Sequence, residues 1–75
     1  MKITKKHNHD SIWLKVTNGK EWAKLSISRG GMRVRYTKEM QEIGRKIFDL
    51  YRVAQDGKLT YGQTLDYVES CLACD

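Results

Sequence analysis

The apolar residues of this chain change period once, near residue 37. Before that point they alternate. Ile12, Leu14 and Val16 share one side of the run 11–17, Ala23, Leu25 and Ile27 one side of 21–27, and Met32, Val34 and Tyr36 one side of 32–36. Alternation with β-branched and aromatic residues predicts three strands, because successive strand side chains point to opposite faces. After residue 37, Met40, Ile43, Ile47, Leu50, Tyr51 and Ala54 recur at helical spacing, and Tyr61, Leu65, Val68 and Leu72 form a second stripe. Each is one face of an amphipathic helix. A chain that reads β-β-β-α-α buries all these stripes by laying both helices on one face of an antiparallel sheet. The expected class is α+β, a three-stranded antiparallel sheet with two helices packed on one face. Leu14, Val16, Leu25, Ile27, Val34, Ile43, Ile47, Leu50, Leu65 and Val68 are expected inside.

Turn chemistry sets the register. Asn18-Gly19 is a strong hairpin signal, since a type I′ turn needs positive φ at both central residues. A turn there pairs Leu14 with Ala23, Ile12 with Leu25, Trp13 with Lys24 and Lys15 with Trp22. The glycines of Ser28-Arg-Gly-Gly31 supply the next reversal, pairing Ile27 with Met32, Leu25 with Val34, Lys24 with Arg35 and Ser26 with Arg33. Thr37 is the expected N-cap of the first helix, Gly57 its end, and Thr60-Tyr-Gly-Gln63 a capping box for the second. Gly44, inside the first helix, predicts close approach to the sheet.

Length and charge set the domain organisation. Seventy-five residues make one small domain. The expected division is a basic N-terminal arm over 1–10 and a β-β-β-α-α domain over 11–75. The net charge of +5 is uneven. Residues 1–36 carry nine Lys/Arg and two acids, whereas residues 37–75 carry five and seven. A basic half points to an anionic partner, nucleic acid first. The longest apolar run, Cys71-Leu-Ala-Cys74, is far short of the roughly 20 residues that cross a bilayer. The leader enters no apolar segment of the secretory kind, so the expectation is a soluble cytoplasmic domain with no membrane partner.

If the helices cover one sheet face, the other carries Trp13, Lys15, Trp22, Lys24, Ser26, Arg33 and Arg35. Directly opposed cations destabilise a sheet by some tenths of a kcal/mol unless an anion lies between them. Trp faces stack on bases while Lys and Arg neutralise phosphates. Trp13, Lys15, Trp22, Lys24, Arg33 and Arg35 are therefore the expected nucleic-acid contacts, with Arg29 at a turn and Lys5 and Lys6 in the leader extending them. The same residues allow two plainer readings. Lys–Trp cation–π pairs stiffen an exposed sheet, and exposed Trp and Arg serve as hot spots for an acidic protein partner.

Cys71-x-x-Cys74 with His7-x-His9 offers four zinc ligands if the termini meet. A lightly packed helix end with free thiols is the simpler reading, and no metal or cofactor is expected. No phosphate-binding glycine loop or catalytic constellation stands out, so no enzyme activity is expected. The acids Glu42 and Asp49 stand at helical spacing from Lys46 and Arg52, as on a solvated helix face.

Three antiparallel strands followed by a helix resembles the order of AP2-type and integrase arm-binding DNA-binding domains. That resemblance implies a sheet laid in the major groove. In size and basic character the chain also looks like small phage or mobile-element accessory proteins, many of which inhibit or redirect a host protein. That implies the second function, a protein partner held by the same patch or by a free sheet edge.

Overall fold

Four strands form the sheet, one more than the alternation predicts. The computed structural model describes residues 1–7, 11–28 and 31–73. Within them β1 (Lys2–His7), β2 (Ser11–Asn18), β3 (Glu21–Ser28) and β4 (Gly31–Tyr36) pair antiparallel in chain order. A 3-10 turn over Lys38–Met40 leads into α1 (Gln41–Asp56), and α2 (Tyr61–Ala73) follows. The extra strand is the basic leader, so residues 2–7 belong to the sheet and are not a separate arm. Ile3 pairs with Val16 and packs, partly buried, against the core. One apolar residue in six leaves no visible alternation, which is why β1 is hard to see in the sequence.

Both helices lie on one sheet face, α1 over β3 and β4 and α2 over β1 and β2. Leu14, Val16, Leu25, Ile27, Ile47, Leu65 and Val68 are buried as expected, joined by Ile12, Ala23, Met40 and Leu72. Val34, Ile43 and Leu50 are only partly buried and rim the cluster. Val34 lies on β4, an edge strand, where the cover runs out.

The β2–β3 register differs from the expected one by two residues. Asn18 pairs with Glu21, so the turn is Gly19-Lys20, not Asn18-Gly19. Gly19 has φ +64° and Asn18 and Lys20 do not share positive φ. That is the φ pattern of a type II′ turn, which needs glycine at its first central position only. A slip of two keeps every side chain on its expected face, since the period is two. The partners change, however. Leu14 now faces Leu25, Trp13 faces Ser26, and Lys15 faces Lys24. The β3–β4 pairs are those expected.

The helix ends differ in detail. Thr37 makes no side-chain cap. Its Oγ1 accepts from the Trp22 N–H at 3.1 Å and reaches the Trp22 carbonyl at 3.3 Å. Its own N–H donates to that carbonyl at 2.9 Å. Thr37 thus prolongs the β3–β4 pairing and holds the backbone of Trp22. The Thr60–Gln63 capping box forms in both directions, at 3.0 and 3.2 Å. Gly44 is where α1 meets β4, because a Cβ there would fall within the ring of Tyr36.

The end of α1 is a Schellman motif, with Leu59 N–H on the Ala54 carbonyl and Lys58 N–H on that of Gln55. The left-handed residue is Lys58, φ 60°, and not Gly57. Lys58→Gly is expected to stabilise the domain by about 0.5–1 kcal/mol, since left-handed strain of about 1–2 kcal/mol is only partly offset by glycine's unfolded-state entropy. A thermal melt checks this, with a rise of roughly 2–8 °C expected.

Candidate nucleic-acid interface

The register writes the open face as rows running across the strands. One row is Lys2, Thr17 and Trp22; the next is Thr4, Lys15, Lys24 and Arg35; the third is Lys6, Trp13, Ser26 and Arg33. Six cations therefore stand on one face. The middle row sets Lys15, Lys24 and Arg35 directly opposite one another on three adjacent strands. Neighbouring strands are about 4.8 Å apart, so this row concentrates positive charge.

Among the described residues no carboxylate shares that face. Glu21 alternates with Trp22 onto the Ala23 side of β3. Glu39 sits in the 3-10 turn, Glu42, Asp49 and Asp56 on α1, and Asp66 and Glu69 on α2. The charge asymmetry of the sequence is thus a segregation between the two sides of the sheet.

The two indoles flank the middle row, Trp13 on β2 and Trp22 on β3. Lys24 Nζ lies 5.0 Å from the centroid of the Trp13 ring, and Lys15 Nζ lies 5.5 Å from that of Trp22. The pairs the sequence suggests do form, but along diagonals of the ladder, not directly across it. Both rings are half-buried rather than exposed. In each pair the lysine ammonium group itself lies over the indole face. A shallow depression of about 550 Å3 on the β3–β4 side of the face is lined by Lys15, Trp22, Lys24, Arg33 and Arg35 among others.

The structure brings together Trp13, Lys15, Trp22, Lys24, Arg33, Arg35 and Lys6. It turns Lys5 away. Lys5 faces Leu14 on the helix side, and its Nζ donates to Asp66 and, at 2.9 Å, to Glu69. The hydrogen bond to Asp66, then that to Glu69, raises its pKa from the ordinary 10.5. A raised lysine pKa means the pair's contribution is present at neutral pH and fades only as pH climbs through the lysine's own range. Arg29 lies outside the described residues. Lys2 and Thr4 join the face, and period-two counting back from Lys6 would have found them. Thr37 also matters here, because it fixes the backbone of Trp22.

Of the four zinc candidates, the two that lie among the described residues, His7 and Cys71, do not converge. His7 lies against Gly62, at the start of α2, and Cys71 is near the other end of that helix. Gly62 and Cys71 stand nine positions apart on the helix, about 13.5 Å at 1.5 Å per residue. His9 and Cys74 lie outside the described residues, and among those described no cluster of three or more His, Cys, Asp or Glu is placed to hold a metal. Adding a chelator is expected to leave the helical circular-dichroism signal and its melt unchanged. A chelator-induced loss of helix would place structural zinc at these residues.

No described helix is long and apolar enough to cross a membrane. Protein-family profiles, curated proteins and solved structures were compared with the chain, and none matches.

Proposed function

We propose that this domain binds nucleic acid through the open face of its sheet. The observation that carries the reading is the segregation of charge: six cations and two tryptophans on one face, with every described carboxylate elsewhere. A polyanion inserts phosphates between Lys15, Lys24 and Arg35, turning a like-charge repulsion into two-sided attraction. Lys2, Lys6 and Arg33 extend the track to both sheet edges. No catalytic chemistry is assigned, and no cofactor is required.

The test is the salt dependence of binding to a labelled oligonucleotide. The logarithm of affinity should fall linearly with log salt. Six contacts bound the slope at about −4 for a single strand and about −5 for a duplex. Trp22→Ala should weaken binding at every salt concentration and leave the slope unchanged, because stacking releases no counterions. No measurable affinity at low salt for any DNA or RNA refutes the proposal.

A protein partner is the second reading, and the β4 edge favours it. β4 is unpaired on its outer side. Beside it a groove of about 340 Å3 is lined by Val34, Tyr36, Gly44, Arg45, Phe48 and Asp49, with Tyr36 43 % and Phe48 42 % exposed. A partner adding a strand there would be held by backbone hydrogen bonds and an apolar contact. Such binding persists after nuclease treatment and is insensitive to Trp13→Ala.

A further inference from the structure

We infer that the ligand of this face is a single-stranded nucleic acid, with one base stacked on Trp13 and another on Trp22. The inference rests on the nucleic-acid reading above and narrows it. The sheet is four strands wide, about 14 Å between the axes of β1 and β4 at the usual strand spacing. The major groove is about 12 Å wide and about 8.5 Å deep, and admits a helix or a two-stranded ribbon. Engaging all six cations at once is incompatible with inserting this sheet edge-on into a groove. Nor does the face carry a wedge that reaches a groove floor: the indoles are half-buried and roofed by lysine ammonium groups.

Unpaired bases remove that requirement, since they come out to the protein surface. The two indoles stand on the central strands, with the cation row between them. Trp13 and Trp22 lie two rows apart on adjacent strands, roughly 14 Å along the diagonal at about 3.4 Å per residue. One base step spans far less, about 3.4 Å in a stacked strand. The rings therefore take bases that are not neighbours, and the phosphates between them pass over Lys15 and Lys24. The two contacts are coupled. Lys15 covers Trp22 and Lys24 covers Trp13 in the free protein. An ammonium group drawn onto a phosphate leaves its ring face free for a base.

The experiment measures fluorescence anisotropy with three probes of one mixed sequence: single-stranded DNA, single-stranded RNA and duplex DNA. At least one single strand is expected to bind tenfold or more tightly than the duplex. Trp13→Ala and Trp22→Ala are each expected to weaken the single strand about 5- to 150-fold and to change duplex affinity less than twofold. Trp→Phe at either position should restore most of the loss, because it keeps a stacking face. Duplex binding as tight as single-strand binding overturns this inference while leaving the nucleic-acid reading intact. Absence of binding to all three probes overturns both. The wild-type comparison decides the matter even where an alanine variant folds poorly.

Discussion

Replacing Lys24 with glutamate is expected to stabilise the domain and to weaken its hold on nucleic acid. Lys24 stands directly between Lys15 and Arg35. Lys24→Glu converts two opposed like-charge pairs into two opposed unlike pairs. Cross-strand charge pairs are each worth about 0.2–1 kcal/mol, and the lost Lys24–Trp13 cation–π contact offsets about 0.5–1 kcal/mol. The net gain is small, and the melting temperature should hold or rise. Binding moves the other way and much further. One phosphate contact disappears and a repulsive charge takes its place at the centre of the track. The loss should be on the order of 100-fold at low salt, with the salt slope reduced by at least about one contact. A stabilised variant that still binds normally would show that the cation row is not the phosphate site. Opposite signs for stability and binding separate a ligand site from a merely structural surface.

Leu25→Ala carries the largest expected effect on folding. Leu25 lies in β3, fully buried between Leu14 and Val34 on neighbouring strands and under α1. Truncating a buried leucine costs about 2–5 kcal/mol. A chain of this length has roughly 4–11 kcal/mol in total. The variant should therefore melt far below the parent or be unfolded at room temperature, as judged by circular dichroism. Ser26→Ala, one position along and on the opposite face, should change stability by less than about 0.5 kcal/mol. A stable Leu25→Ala protein would mean that the strand faces are assigned the wrong way round.

The faces of the sheet were legible because alternation is a strong constraint. Leu14, Leu25 and Val34 can share a core only if Lys15, Lys24 and Arg35 share the other side. The register was less legible, because Asn18-Gly19 and Gly19-Lys20 both place a glycine where a tight turn can use it. The strands resolve the choice by pairing Asn18 with Glu21. β1 escapes the sequence pattern because Ile3 is its one core-facing apolar residue, while Lys5 on the same side finds Asp66 and Glu69 on α2. Contacts of that kind join residues more than sixty positions apart, and no local pattern encodes them. Thr37 had the composition of a helix cap, but strand pairing with Trp22 claimed its hydroxyl first. The left-handed residue at the end of α1 falls one position beyond Gly57, so a rule that places glycine there misses Lys58.

The two tryptophans also provide the most direct measurement. The chain has only Trp13 and Trp22, so a nitrogen–proton correlation spectrum contains just two indole N–H signals, both reporting on the open face. Titrating a short single strand at low salt should shift both signals. Raising the salt should return them towards their free positions, and neither should move in Lys24→Glu at the same concentrations. Two indole signals unmoved at an excess of oligonucleotide in low salt would contradict the assignment of this face as a nucleic-acid site.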